Sequence, residues 1–219
     1  RKNDSLLHFV KPVFDRRVFL KTCTNGSSEL MTNLSMSLVN ALYNLQLMKI
    51  AGENGVAAYG AVMYVNFIFV ATFLGYAIGC APVISYHYGA GNHAELKNLY
   101  KKSMSIILVW GVILFGAAQL LAPVLSKIFV GYNTGLYAMT LHGFRVYAIA
   151  FLIIGINIFG SSFFTALNNG LISAVISFLR TLVFQVIMVL TLPLWFGING
   201  IWSAISIAEA LTLIMTTTF

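Results

Sequence analysis

ELMTNLSMSLVNALYN, residues 29–44, is apolar enough to lie within a membrane, yet it carries a polar seam. At 100° per residue, Glu29, Asn33, Asn40 and Asn44 fall within a sector of roughly 60°, with Ser37 beside them. Leu30, Leu34, Leu38 and Leu42 occupy the other faces. A carboxylate and three carboxamides are costly in hydrocarbon, so the seam should face a bundle interior or a wet cavity. That pattern marks a pathway or binding site. Interhelical hydrogen bonds that hold a bundle together are the alternative for the Asn residues alone, and Glu29 moves the balance toward function.

The rest of the chain has the same character. Of its 219 residues 59% are hydrophobic and 9% charged, and mean hydropathy is +0.86, which excludes a water-soluble domain of this length. The apolar runs are too long for the strands of a membrane barrel, so the class is all-α and polytopic. Cys23 and Cys80 have no spacing that suggests a metal or redox pair. The net charge of +7 could suggest nucleic acid, but the basic residues cluster beside the spans, where topology accounts for them. No signal peptide is visible and the first residue is Arg1, from which we expect a start inside a longer gene product.

Residues 1–21 mix basic residues with Leu6, Val10, Val13 and Phe14 on one helical face and read as a cytoplasmic amphipathic connector; a solvated linker is the alternative. Residues 22–219 read as a six-helix transmembrane lobe. The first span begins near Val18 or Gly26 and ends at Met48, with a break expected near Asn25 and Gly26. A loop, AGENG, follows at 51–55. The second span covers 56–85, and YHYGAGNHAELKNLYKK (86–102) reads as a polar, basic loop. Further spans are expected at 103–127, 137–166, 171–195 and 200–219, each long enough to cross a bilayer. Arg1, Lys2, Lys11, Arg16, Arg17, Lys21, Lys97, Lys101 and Lys102 lie on one side, against Lys49 and Lys127 on the other. This bias places both termini in the cytoplasm.

Two further charges fall inside spans: Arg180 in the fifth and Glu209 in the sixth. At 1.5 Å per residue both reach mid-membrane depth, close to the level of Glu29. An intramembrane charge cluster follows, although spacing does not say which carboxylate Arg180 meets. If Arg180 pairs with Glu209, Glu29 remains as an acid able to take up a proton or a cation near physiological pH. Asn157, Ser161 and Thr165 repeat the seam pattern in the fourth span, and Ser173, Ser177 and Arg180 share a face of the fifth; packing contacts are the commoner role for such hydroxyls. Tyr59, Met63 and Asn66 line one face of the second span. With Asn40 and Asn44 they form the expected wall of a substrate cavity, adaptable because of its Met and aromatic content. No paired His at metal spacing, phosphate loop or nucleophile elbow is present, so no enzyme chemistry is expected.

PVISYHYGAGN (82–92) resembles the loop signature that closes the second helix of each lobe in multidrug and toxic compound extrusion (MATE) transporters. FRVYAIAFLIIGINIFGSSFFTALNNGLISAVISFLRTLVFQ (144–185) is similar to the fourth and fifth helices of the C-terminal lobe, especially of bacterial members. The resemblance implies two six-helix lobes related by a pseudo-twofold axis, with this chain supplying helices seven to twelve and residues 1–21 the connector. It implies a bacterial plasma-membrane location and an N-terminal lobe of the same transporter as partner. It further implies that Glu29 is the helix-seven carboxylate used for cation coupling, with Asn33 and Asn157 beside the coupling site. Asn157 stands where sodium-coupled members often carry an acid, which leaves H⁺ or Na⁺ open as the coupling ion, Na⁺ being held near Glu29. No other cofactor or metal is expected.

The function expected is efflux of amphipathic or cationic drugs by cation-coupled antiport and alternating access. A lipid-linked saccharide flippase of the same superfamily, or a non-transporting membrane scaffold, are the alternatives. A truncated half is expected rather than a natural half-length dimer.

Overall fold

In hydrocarbon an α-helix satisfies every backbone group within its own segment, and the long apolar runs of this chain use that solution throughout. The structure, a computed structural model, describes residues 14–218, with the side chains of Ser28, Glu29 and Met31 outside the described residues. Helix α1 (Arg16–Gly89) carries the first two crossings as a hairpin. Its helical dihedrals fail at Gly52 alone, where φ is 61° and ψ −153°, a conformation that a residue without Cβ adopts readily. The Tyr43 and Tyr59 rings therefore stack with centroids 5.0 Å apart, although along an unbroken helix they would be about 24 Å apart. The expected loop at 51–55 thus shrinks to one residue. The break expected near Asn25 and Gly26 is absent: α1 runs through both, since turn formers lose their advantage where no water competes for the backbone. The first span is instead held there from outside. A Cβ on Gly170 would come within 2.5 Å of the Asn25 Cα, so these two backbones touch.

Helix α2 (His93–Val130) forms the third crossing and begins after only three residues, 90–92. Gly91 has φ 68°, and Asn92 caps α2 by accepting the Glu95 backbone N–H at 3.1 Å. The stretch 86–102, expected as a loop, is thus helical on both sides of a tight turn. The cap and the glycine give the helices a defined end and start, and lysine stems let the cations reach water from helical positions. The fourth crossing joins α3 (Thr134–Tyr147), a 3₁₀ turn (Ala148–Ala150) and α4 (Phe151–Ala166). The fifth joins α5 (Gly170–Phe178), a π-helical segment (Leu179–Phe184) and α6 (Gln185–Phe196), and α7 (Ile198–Thr216) is the sixth. Among the described residues five helical stretches are long and apolar enough to span a membrane, and the Gly52 hairpin makes six crossings of them.

Crossings four and six are the most buried. Trp202 of α7 sits face-on against Gly143, whose Cβ would meet its ring at 2.5 Å, and Phe73 fills the equivalent notch at Gly155. Crossing three is peripheral, presenting Val109, Val112, Leu120, Val124 and Ile128 outward. The boundary drawn at residue 21 falls inside α1, which starts at Arg16 with Asp15 as its N-cap. Phe14 is exposed, and Leu6, Val10 and Val13 lie outside the described residues.

Candidate functional site

Between the hairpin and crossings four to six lies a cavity of about 210 Å³. Asn40, Tyr59, Met63 and Asn66, all expected as cavity residues, line it. The Tyr59 hydroxyl donates to Asn40 Oδ1 at 2.9 Å and so ties the two arms of the hairpin. Asn44 is the exception. Its Nδ2 donates to the Asn40 carbonyl at 2.9 Å, and it does not line the cavity, because at i+4 its side chain reaches back along its own helix. Asn33 is exposed. Glu29 lies outside the residues whose side chains are described.

The floor of the cavity is a buried ion cluster. Arg180 Nε–H donates to both oxygens of Glu209, at 2.9 and 3.1 Å. Glu209 is 1% exposed and Arg180 13%. Asn157, fully buried, gives its Nδ2 to Glu209 Oε2 at 2.7 Å and to the Glu209 carbonyl at 2.9 Å. An ion pair withdrawn from water needs such additional donors to offset desolvation. The sequence brought Arg180 and Glu209 to one depth; the structure brings them into contact and adds Asn157, whose expected neighbours were the coupling residues of the first span. Asn157 Oδ1 finds no partner among the described residues, nor do the Tyr43 hydroxyl and Asn66 Oδ1.

Below the cluster, crossings four and five are fastened by hydroxyls. Ser161 Oγ lies 2.9 Å from both Ser173 Oγ and Ser177 Oγ, and Thr165 Oγ1 lies 2.6 Å from Ser173 Oγ. These residues serve as helix-to-helix contacts.

Among the lining residues that sequence reasoning missed are Tyr43, Tyr147 and Gln185. Tyr43 is three residues from Asn40, hence on a neighbouring face of the same helix, and that spacing could have found it. Nothing comparable marks Gln185, which reaches the cavity through the π segment before it. Among the described residues no group of three His, Cys, Asp or Glu side chains could hold a metal ion. The arrangement suits an amphipathic guest: aromatic and Met walls, carboxamides at the rim, and a charge-matched floor.

The MatE family model matches residues 30–191. Among solved structures, a MATE protein in its bent conformation is similar at 21% identity and a TM-score of 0.89, over 98% of this chain and 48% of that one. An outward-facing multidrug resistance MATE transporter of the MOP superfamily gives 21% and 0.85, over 94% and 46%. A MOP superfamily transporter from Pyrococcus furiosus, described as having a binding pocket of reverse polarity that suggests a different function, gives 21% and 0.86, over 94% and 46%. The chain thus spans about half the length of the structures it matches. No curated protein matches it.

Proposed function

We propose, from the premise that this chain belongs to the MatE family of multi-pass membrane transporters, that it is the C-terminal lobe of a cation-coupled efflux transporter for amphipathic or cationic compounds. The observation that carries this reading is the cavity between the hairpin and the ion cluster. Its rim residues Phe67 and Met36 are exposed, at 72% and 47%, and would be covered if a second lobe closed the pathway there. The coupling ion, H⁺ or Na⁺, discharges at Glu29. Arg180 already matches the charge of Glu209, so Glu29 is the other carboxylate that the sequence places within a span. Its uptake and release of the ion bias the lobe between two orientations. The termini are cytoplasmic and the membrane is the bacterial plasma membrane.

The flippase alternative calls for a strongly cationic cavity to hold pyrophosphate. Arg180 is the one cation among the described lining residues, and its charge is taken by Glu209. This favours a neutral or cationic guest.

The test is efflux of a fluorescent lipophilic cation from proteoliposomes holding the full-length parent protein, under an imposed proton or sodium gradient. Wild type is expected to respond to one gradient, and Glu29→Gln to lose that response while keeping its thermal unfolding. Efflux that persists in Glu29→Gln would remove the coupling role. Its absence under both gradients from folded wild type would move the assignment to the flippase.

A further inference from the structure

A second cavity, larger than the one at the ion cluster at about 490 Å³, opens where the second, third, fourth and sixth crossings end together. It lies on the side that holds Lys97, Lys101 and Lys102, the basic side of the lobe. Its inner wall is aromatic: Tyr100 meets Phe163 edge-on at 5.2 Å, and Phe164 continues the wall. Its mouth carries His93 and Lys97 from the first turns of α2, and no acidic side chain among the described residues lines it. The nearby acid, Glu95, is turned to Asn98, with both carboxylate oxygens 3.2 Å from Nδ2. At the back, Gly160 makes room for Thr216, since a Cβ there would meet Thr216 Cγ2 at 2.7 Å. The Thr216 hydroxyl is buried without a hydrogen-bond partner among the described residues.

We propose that this pocket holds an anionic phospholipid from the leaflet on the basic side, its phosphate between Lys97 and His93 and the upper part of an acyl chain along Phe163 and Gly160. Three observations select this occupant. Basic pockets between membrane helices at this depth favour anionic headgroups. The pocket lies beside the third crossing, whose outward face is apolar and exposed along its length, so bilayer lipid reaches it laterally. The Thr216 hydroxyl, buried at the back without a partner among the described residues, supplies a donor for an ester oxygen.

The experiment reads retained lipid rather than transport, so it stands or falls separately from the efflux assignment. The full-length parent protein is extracted from bilayers of mixed phosphatidylglycerol and phosphatidylcholine and weighed intact by native mass spectrometry. Wild type is expected to retain phosphatidylglycerol selectively. Lys97→Gln should lower that retention roughly fivefold, as the loss of one cation near a phosphate implies, while Lys102→Gln, outside the pocket, leaves it unchanged. Thr216→Val keeps the volume and removes the donor, and should lower retention without changing thermal unfolding; it carries the test if Lys97→Gln fails to fold. Equal retention of the two lipids, or equal effects of Lys97→Gln and Lys102→Gln, would overturn the proposal. So would displacement of phosphatidylglycerol by inorganic phosphate at low millimolar concentration, which would make the pocket a site for soluble anions.

Discussion

The polar residues of the first two crossings and those of the last three obey different rules. Around Glu209 the charges are answered, with Asn157 Oδ1 alone left over among the described residues of the cluster: Arg180 and Asn157 both reach the carboxylate, and the Ser161, Ser173 and Ser177 hydroxyls answer one another. On the hairpin, Tyr43 and Asn66 line the cavity and each holds a buried oxygen with no partner among the described residues. Polar groups in lipid that satisfy one another build architecture. Polar groups left open at a cavity wall are available to a guest.

The sharpest way to break this distinction is to strand a charge in the cluster. Arg180→Ala should cost about 3–5 kcal/mol by leaving Glu209 buried and unpaired, read as a large fall in the thermal unfolding temperature of the detergent-solubilised protein. The paired replacement Arg180→Met with Glu209→Leu should recover most of that loss. If the single change proves harmless, the cluster is not architecture. Next comes Gly170→Ala, which drives a Cβ into the Asn25 backbone and should cost about 1–3 kcal/mol, since neither helix can yield without shifting its whole end. Ser161→Ala should cost about 0.6 kcal/mol and no more than about 1.7 in the same unfolding assay. An equally small stability effect is expected on the hairpin: Tyr59→Phe removes the bond to Asn40 and should cost about 0.6 kcal/mol. It should weaken binding of a fluorescent cation severalfold in a titration. A Tyr59→Phe variant that unfolds early yet binds normally would reverse the comparison.

Much of this was legible in the sequence. Six crossings follow from apolar run lengths, the seam on the first from its period, and the depth match of Arg180 and Glu209 from counting residues inward. The partnership of Asn157 with Glu209 was not legible, because helical period fixes which residues share a face but not how far each helix is rotated about its own axis. Asn44 shows the same limit in reverse: it shares the seam by angle, yet its amide turns back to the Asn40 carbonyl. The break expected at Asn25 and Gly26 failed because turn chemistry learned in water was carried into a segment where backbone groups have no aqueous alternative, and the loop expected at 86–102 shrank to a turn because Gly91 and the Asn92 cap reverse the chain within three residues.

The π-helical segment at Leu179–Phe184 has a consequence for how this lobe can evolve. Each π turn holds one residue more than the α turn it replaces, so it behaves as an absorbed insertion, with everything beyond it rotated by about 100° relative to an uninterrupted α-helix. Gln185 reaches the cavity in that rotated frame, while Ser173 and Ser177, before the segment, keep their bonds to the fourth crossing. A one-residue deletion within 179–184 would therefore be met by a return to α geometry with α5 and α6 facing as before, whereas closing the π turn at unchanged length would re-aim all of α6 and exchange part of the cavity wall. Lineages of equal length that differ in whether this turn is π or α should differ in what they bind before they differ in how they fold.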